Sequence, residues 1–505
     1  MTKATTPHHS LVDPMGWTLG FLLCSILLAF LMPKSPRTRF PVVNRYRWDY
    51  FQTKAKHEFE RRAQELIEAG LKQSAVFDME TNMGPRVVIS DKFADAVGMD
   101  DRLDQHKGIT PVDQPRGIDR LRDHVYGIHS QPHPASSGER NFKATGLEDT
   151  VHLTQPFSEE TAHFLQREWG DCPEWLEIDV LPMAMRLTAQ LTSRAFVGPR
   201  LCRDLRWLEI ATTYVSVRLA ALMAVQKWAK PLHPLVHWFL PSCRKLRAQI
   251  KLARELIQPE LDRLKDQTLQ DESFTSLAWI HHNADGYTYD AGLAQLRLSA
   301  VANHTTSDML MKVLFRICEN PQLIPVLREE IITTVRSGLR VAALQKMWLL
   351  ESLMKESQRL EPFFLLSMFR YATETVILPD GTVIPKGTLT AVANPSRLDP
   401  TIYPEPDKFD VYRFLKMRDD ATQAGLAPFS KTNHTHLAFG HGKQACPGRF
   451  IAINEVKLAL CHILLKYDID LVDGSNCELV RTGLVTVRNP AAKIRVRRRQ
   501  EEVKI

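Results

Sequence analysis

Cysteine is scarce in this sequence, and the few thiols that occur are far apart. The 505 residues include eight cysteines, at positions 24, 172, 202, 243, 318, 446, 461 and 477, with no Cys-x-x-Cys pair and no metal-ligand spacing. Secreted proteins are expected to pair their cysteines, whereas reducing compartments keep thiols free. The sequence therefore predicts free thiols in a reducing compartment and argues against a disulfide scaffold.

Internal repeats, low-complexity tracts and linkers are also missing. No Pro/Gly/Ser-rich stretch marks a domain boundary after residue 45, although the length alone would suggest about three domains. Hydrophobic residues make up 44% of the chain, which is enough for a large core. The net charge of +7 is small, and the basic run at 495–499 is too short to indicate nucleic-acid binding. We expect one large domain, mainly α with small β-sheets (α+β), and no nucleic-acid partner.

Charged residues are absent from one long stretch near the N-terminus. Residues 15–32 form an uncharged run of 18 residues, which is just long enough to cross a bilayer as a helix. Lys34, Arg37 and Arg39 follow the run and only Lys3 precedes it, so the charge bias places the rest of the chain on the cytoplasmic side. A cleavable signal peptide is the alternative, but no small-residue cleavage site precedes the prolines that follow the run. The run therefore predicts an uncleaved transmembrane anchor.

Periodic patterns predict helices over most of the remaining chain. Residues 175–265 read as amphipathic helices, and Pro85–Ile89 as a short strand. Two strand-like runs on either side of Asp380 and Gly381 predict a hairpin. The elements together support a helical domain with small sheets.

One long helix is predicted in the middle of the chain. Asp290 is a plausible N-cap and Pro321 a stop, with about 30 residues of helical period between them. One face of this helix is apolar except for a single threonine, and its members are Leu298, Val301, Ala302, Thr305 and Met309. A threonine in mid-helix often bonds its hydroxyl back to the preceding turn, so Thr305 alone does not establish a site.

Glycines cluster around a single thiol near the C-terminus. The stretch Phe439–Phe450 reads FGHGKQACPGRF, with Cys446 followed directly by Pro447. Dense glycines let the backbone pass close to a flat or bulky group. Pro447 suits the first position of the helix predicted behind it, which would place Cys446 at a helix N-terminus, where a thiolate is favoured. The bland alternative is a glycine-rich turn with a buried structural cysteine.

This stretch resembles the haem-binding loop of the cytochrome P450 family, Phe-x-x-Gly-x-Arg-x-Cys-x-Gly. Phe439, Gly442, Cys446 and Gly448 are in register with that motif. Gln444 stands where the family usually has an Arg or His that bonds a haem propionate, and an uncharged amide would anchor it more weakly. The resemblance implies the cytochrome P450 fold, haem b with Cys446 as the axial ligand, and a haem-thiolate catalytic domain.

The long helix resembles a second motif of the family, the oxygen-activation sequence Ala/Gly-Gly-x-Asp/Glu-Thr-Thr. The segment VANHTTSD aligns Ala302 and Thr305 with it, whereas His304 stands where the acid normally is. By resemblance, Thr305 would hydrogen-bond dioxygen and relay protons. His304 could replace the acid, because imidazole titrates near neutral pH. Val301, Ala302 and Met309 are then expected to line the substrate pocket.

A third pattern, Glu356-x-x-Arg359, resembles the Glu-x-x-Arg pair of the family. The spacing of three residues places both charges on one side of a helix. In the family this pair locks the proximal side of the haem, and Arg413 is expected to join it. By resemblance, Arg370 is expected to reach a haem propionate, although its spacing from Arg359 is one residue too long for that role.

The resemblance implies a monooxygenase that uses O₂ and electrons from NADPH. The implied partners are an NADPH-cytochrome reductase, with cytochrome b5 as a possible second donor, a hydrophobic small molecule and a membrane. The layout is most similar to fungal members that oxidise terpenoid- or polyketide-like intermediates of secondary metabolism. Two alternatives stay open: a haem-thiolate isomerase or dehydratase that needs no external reductant, and a non-catalytic haem-binding sensor.

The expected organisation follows microsomal members of the family. It comprises a lumenal segment (1–14), a transmembrane helix (15–32), a basic proline-rich hinge (33–44) and the haem-thiolate catalytic domain (45–505). We therefore expect a single-pass protein of the endoplasmic reticulum membrane with a cytosolic catalytic domain.

Overall fold

Helices dominate the computed structural model of the chain. It describes residues 40–46, 49, 52–109, 151–228, 232–265, 275–284, 289–336 and 338–505. The predicted lumenal segment and transmembrane helix, and the first part of the predicted hinge, lie outside the described residues. The helices of the described part are α1 (Thr53–Gln73), α2 (Ala94–Met99), α3 (Gln105–Ile109), α4 (Val151–Glu168), α5 (Val180–Phe196), α6 (Leu205–Gln226), α7 (His233–Val236), α8 (Pro241–Lys265), α9 (Ser276–His282), α10 (Ala291–Glu319), α11 (Leu323–Val335), α12 (Val341–Lys346), α13 (Trp348–Leu360), α14 (Arg413–Asp419) and α15 (Arg449–Lys466).

The strands form small sheets at the edges of the helical body. They are β1 (Val76–Thr81), β2 (Gly84–Ser90), β3 (Leu103–Asp104), β4 (Leu176–Asp179), β5 (Leu366–Ala372), β6 (Val376–Ile377), β7 (Val383–Ile384), β8 (Leu389–Ala393), β9 (Tyr467–Leu471), β10 (Leu479–Thr482), β11 (Val485–Arg488) and β12 (Lys493–Arg498). The five-stranded sheet has the order β1-β2-β8-β5-β3, in which only β2 and β8 are parallel. The other sheets are β4-β12-β9, β10-β11 and β6-β7.

The predicted strand and hairpin are both present. Pro85–Ile89 falls inside β2, and β6 pairs antiparallel with β7 around the turn that contains Gly381. Gly381 has φ of 85°, a conformation that glycine adopts without steric cost. The predicted fold class, mainly helical with small sheets, is confirmed.

The long helix α10 forms the centre of the domain. It begins where predicted, because the side chain of Asp290 accepts a hydrogen bond from the backbone N–H of Leu293 at 3.1 Å. Its 29 residues span about 44 Å. α5, α6, α8, α13 and α15 pack around it, and its C-terminal half is buried on every side, including the side chains of Leu310, Met311, Val313, Leu314 and Phe315. A helix segment that is buried on every side belongs in a core.

The helix α6 has the length and hydropathy of a membrane span within the described residues. Its most apolar window has a mean hydropathy of 1.5 and is one-third buried. Core helices of soluble domains pass the same test, and α6 packs against α8 and α10. Trp207 on α6 is fully buried, and its indole N–H donates to the hydroxyl of Ser193 on α5 at 2.9 Å. We therefore treat α6 as part of the domain, and residues 40–505 form one compact unit.

Candidate active site

An internal cavity of about 400 Å³ lies between α10, α15, the strand β5 and the glycine-rich stretch before α15. One side of it is formed by the predicted apolar face of α10, since Leu298, Val301, Ala302, Thr305 and Met309 all line it. Another side contains Phe439, Gly440, Gln444, Cys446 and Gly448. The structure therefore brings the two regions that the sequence singled out to one cavity, although about 140 residues separate them.

The loop around Cys446 is held by its own backbone and by a close contact with α2. The N–H of Cys446 donates to the carbonyl of Phe439 at 2.7 Å, and the ring of Phe439 packs on Phe429 with centroids 5.2 Å apart. Gly442 has φ of 80°, and a Cβ at this position would lie 2.3 Å from the carbonyl oxygen of Gly98 on α2. A side chain at Gly442 is thus excluded both by backbone conformation and by space.

The helix behind the cysteine begins later than the sequence indicates. α15 starts at Arg449 with Gly448 as its N-cap residue, so Pro447 lies in the preceding turn. Backbone N–H groups of Gly448 and Arg449 and the Arg449 guanidinium do favour the thiolate, but burial raises the pKa of the Cys446 thiol and is the larger effect. The helix terminus by itself therefore does not make this thiol a thiolate. A metal cation at the sulfur would, because coordinating thiols are deprotonated outright.

The side-chain amide of Gln444 forms hydrogen bonds with neighbouring backbone groups. Its Oε1 accepts from the N–H of Gln105 at 3.2 Å, and its Nε2 donates to the carbonyl of Leu103 at 3.4 Å. These bonds join the Cys446 loop to β3 and α3. The residue that departs from the family motif thus connects two segments that border the cavity.

The predicted Glu356–Arg359 pair is formed and is completely buried. The Nε and Nη2 of Arg359 donate to the two carboxylate oxygens of Glu356 at 2.7 and 2.8 Å. Arg413, at the start of α14, donates to the same carboxylate at 3.0 Å. Since both cations also donate to backbone carbonyls, among them those of Arg397 and Pro404, the buried charges are hydrogen-bonded as well as paired. The structure brings the three charged residues named from the sequence together.

Arg370 is aimed at the cavity by an irregularity in β5. The pairing of β5 with β8 shifts between Ser367 and Arg370, where two residues of β5 stand opposite one residue of β8. Met368, inside this bulge, has φ of 48°, which is unusual for a residue with a side chain. A bulge inserts one extra residue into a strand. The extra residue accounts for the spacing between Arg359 and Arg370, which is one residue longer than expected. Arg370 is buried and lines the cavity.

The polar residues of α10 do not all face the cavity. Thr305 lines it and is exposed to it, while its hydroxyl donates to the carbonyl of Val301 at 3.1 Å. His304 is not among the lining residues, and its Nε2 is buried without a hydrogen-bond partner among the described residues. Burial lowers the pKa of His304. The structure thus places Thr305, but not His304, where it can meet a bound molecule.

Several buried ionisable residues at the cavity escaped the sequence analysis. Asp308 lines it and pairs with Lys312 at 2.6 Å; burial raises the pKa of Asp308 to about 7 and lowers that of Lys312. Glu455 on α15 lines it too, and burial raises the pKa of its carboxyl well above the usual range. His436 is held neutral by burial and nearby cations, which lower its pKa. An acid four residues before a lysine, as in Asp308 and Lys312, was the one visible signal, but that spacing is common on exposed helix faces.

The donor set of the cavity fits haem b. Besides the Cys446 thiol, the guanidinium groups of the buried Arg370 and the half-buried Arg397 line it. Burial lowers the pKa of Arg397 to about 10, and its Nη1 donates to the backbone carbonyls of Arg359 and Leu360 at 3.1 and 3.5 Å. Guanidinium groups on a cavity wall match carboxylates in charge and geometry, and the propionates of haem supply two. Among the described residues no other group of His, Cys, Asp and Glu side chains could hold a metal ion.

Comparison with known proteins agrees with this geometry. The sequence profile described as Cytochrome P450 matches residues 156–496. The chain is 65% identical to the cytochrome P450 monooxygenase notH of an Aspergillus species over the full length of both chains. It is 44% identical to a fumitremorgin C monooxygenase of Neosartorya fischeri, covering 97% of each chain, and 45% identical to the cytochrome P450 monooxygenase roqO of Penicillium rubens, covering 98% of each.

Solved structures show the same fold. A retinoic acid-bound cyanobacterial cytochrome P450 superimposes with a TM-score of 0.65, 18% identity and coverage of 92% of this chain and 100% of that chain. The family match, the relatives and the cavity lined by a cysteine on a glycine-rich loop lead to one conclusion: the chain belongs to the cytochrome P450 family and is a haem-thiolate monooxygenase, which binds haem b through a cysteine and receives electrons from a reductase.

Proposed function

We propose that this monooxygenase oxidises an apolar intermediate of fungal secondary metabolism, with Cys446 as the haem ligand and Thr305 as the residue that handles protons. One observation carries the proposal: Cys446 and Thr305 belong to two motifs that are far apart in the sequence, and both line the same cavity. Bound haem supplies dioxygen activation, in which the thiolate ligand pushes electron density that favours O–O cleavage. The residues of the chain supply the binding, the orientation and the proton.

Cys446 would hold the haem iron, and the loop would hold Cys446. The 2.7 Å hydrogen bond from its N–H to Phe439 and the exclusion of a side chain at Gly442 fix the path of the backbone. Phe439 and Gly448 also line the cavity and would help to hold the haem.

Arg370 and Arg397 would take the haem propionates. Both are cations on the cavity wall, Arg370 buried and Arg397 half-buried, and guanidinium groups bind carboxylates in a bidentate manner. Gln444, whose amide bonds the backbone of residues 103 and 105, would position the loop rather than bind a propionate directly.

Thr305 would donate a proton at the reacting oxygen. Its hydroxyl donates to the carbonyls of Val301 and Ala302, at 3.1 and 3.4 Å, but a hydroxyl rotates and has two lone pairs for other partners. His304, which is not on the cavity wall, would at most influence Thr305 through the helix.

The substrate would be apolar, since it meets Val301, Ala302 and Met309 on the α10 wall. The relatives support a secondary metabolite, and one of them acts, by its name, on fumitremorgin C. The terpenoid- or polyketide-like skeleton expected from the sequence stays a prediction.

Residues 15–32 would anchor the chain in the endoplasmic reticulum membrane as a single span, with 1–14 in the lumen, 33–44 as a hinge and the domain in the cytosol. An exposed apolar patch supports contact with a membrane surface. It lies between α6 and α8 and consists of Trp228, Leu232, Leu235, Trp238 and Phe239. An NADPH-dependent reductase would deliver electrons, and cytochrome b5 could add the second one.

Reconstitution of the full chain with a reductase tests the function. Expected are a thiolate-type absorption band of the reduced carbon monoxide complex and oxidised products that depend on NADPH and O₂, detected by mass spectrometry. Cys446→Ser should lose the band, whereas Cys461→Ser, which removes a buried thiol on α15 away from the cavity, should keep it.

Three results would contradict the proposal. Product formed without NADPH would indicate an isomerase or dehydratase, and haem binding without turnover of any scaffold would indicate a sensor. A band that survives Cys446→Ser would move the iron ligand to another residue.

A further inference from the structure

The wall of α10 carries one ionisable residue among its cavity-lining side chains. The lining residues of this helix, which the structure describes throughout, are Leu298, Val301, Ala302, Thr305, Thr306, Asp308 and Met309. Asp308 follows Thr305 by three residues, so the two lie about 4.5 Å apart along the helix axis. A carboxylate in this apolar wall needs an explanation, because burying it costs free energy unless it is paired and hydrogen-bonded.

Lys312 pairs with only one of the two carboxylate oxygens of Asp308. Its ammonium donates to Oδ2 of Asp308 at 2.6 Å and to the carbonyl of Thr486 on β11 at 2.9 Å. It also lies 5.9 Å from the centre of the Phe363 ring, and Phe363 lines the cavity. Lys312 itself is 1% exposed, so solvent does not compete for these contacts. The ion pair is therefore fixed at the cavity wall.

The second oxygen of Asp308 is left over. Oδ1 is buried and has no hydrogen-bond partner among the described residues, and the whole residue is only 4% exposed. A buried acceptor without a donor loses its hydration and gains nothing in return. The torsion about the last side-chain bond of Asp308 is soft. The carboxylate can therefore rotate to accept a hydrogen bond from a donor that enters the cavity.

We propose that Asp308 is a specificity-determining residue that accepts a hydrogen bond from a neutral N–H or O–H group of the substrate. The inference rests on the proposed function, since it concerns the molecule that the monooxygenase oxidises. Lys312 already supplies the counter-charge of the carboxylate, so a neutral donor completes the site, whereas an ammonium group would add a second buried cation.

The proposal narrows the substrate class. The preferred substrate is a hydrophobic scaffold with a neutral donor, such as an aromatic N–H, a secondary amide or a hydroxyl. The donor lies about one helical turn from the atom that faces Thr305. Binding of the donor to Asp308 then sets which carbon of the scaffold meets Thr305.

A pair of probes that differ in one N–H tests this inference on the haem-loaded full chain. Carbazole and N-methylcarbazole have the same ring system, and only the first donates a hydrogen bond. Affinities are measured from the change of haem absorbance on titration. At pH 8, above the pKa of about 7 to which burial raises the Asp308 carboxyl, we expect carbazole to bind about tenfold more tightly or better, as for a hydrogen bond to a charged acceptor.

Two variants assign the preference to the carboxylate. The double variant Asp308→Leu with Lys312→Met replaces the buried pair by apolar groups and should bind both probes equally. Asp308→Asn keeps an acceptor oxygen and should keep part of the preference. Each variant is first checked for haem content and for the thiolate-type band of the reduced carbon monoxide complex.

The outcomes separate this inference from the proposed function. Equal affinities for the wild type, no binding of carbazole, or an undiminished preference in the double variant would overturn the role of Asp308 while the absorption band and NADPH-dependent turnover persist. Loss of the band in the wild type would instead overturn the proposed function.

Discussion

Gly442 illustrates how a single atom can decide whether the cysteine loop closes. Its backbone is in the left-handed region, with φ of 80°, and a Cβ would lie 2.3 Å from the carbonyl oxygen of Gly98. Gly381 offers a matched comparison, because it has φ of 85° but open space around a Cβ. The two positions share the conformational cost of a side chain and differ in the steric one.

We therefore expect Gly442→Ala to lose haem and Gly381→Ala to keep it. The backbone term should cost each variant about 1–2 kcal/mol, but only Gly442→Ala forces α2 away from the loop. Haem content per protein and the thermal midpoint are the measurements. Full haem occupancy in Gly442→Ala would show that the contact with Gly98 yields without disturbing Cys446.

Thr305 can be tested at the same scale. Thr305→Ala removes a hydroxyl that lines the cavity and stands in the predicted motif. We expect NADPH consumption to continue while most of it produces peroxide instead of oxidised product. Thr305→Ser, which keeps a hydroxyl, should restore much of the coupling. Tight coupling of NADPH to product in Thr305→Ala would remove Thr305 from proton transfer.

Helix pairs depend on buried polar contacts as well as on apolar packing. α4 and α15 are joined by a 2.8 Å hydrogen bond between the Ser158 hydroxyl and Nε2 of His462. Burial lowers the pKa of His462 from 6.5 to about 3. His462 is therefore neutral in the folded protein at any pH at which the protein is handled.

The lowered pKa of His462 predicts that the folded protein loses stability at acidic pH. Below pH 6.5 the unfolded chain takes up a proton at His462 and the folded chain does not. The free energy of unfolding therefore decreases as the pH is lowered from 6.5 to about 3. At pH 5 the loss from this group is about 2 kcal/mol, at about 1.4 kcal/mol for each pH unit. His462→Gln should reduce the difference in thermal midpoint between pH 7.5 and pH 5. An unchanged difference would mean that His462 is protonated in the fold.

The bulge in β5 shows what an element adds that its residues do not. The sequence did not predict this strand, the shift at Ser367, the positive φ of Met368 or the resulting direction of Arg370. Such irregularities are set by pairing with β8 and by the loop that packs on the strand. The odd spacing of Arg370 was visible in the sequence, yet its cause was not.

At the scale of the whole molecule, the exposed apolar patch between α6 and α8 predicts membrane binding that does not need the N-terminal run. A chain lacking residues 1–32 should still float with phosphatidylcholine vesicles. Replacing Trp238 and Phe239, which are 52% and 72% exposed, by serine should lower the bound fraction at least tenfold.

Met99, which is 57% exposed on α2, provides the control. Met99→Ser removes a similar exposed side chain outside the patch and should leave flotation unchanged. If the Trp238 and Phe239 variant floats as well as the parent chain, the patch does not contact the membrane.

Local patterns in the sequence determined the fold class, the long central helix with its cap at Asp290 and the hairpin at Gly381. The motif around Cys446 also indicated the family of the chain. These features depend on neighbours within one or two turns, so a single chain displays them. The tertiary structure alone decided that Thr305 faces the cavity and His304 does not, that α15 begins at Arg449, and that Asp308 keeps an oxygen without a donor. Those features depend on burial and on partners far away in the chain, and the free energy of a buried charge is fixed only once its surroundings are assembled.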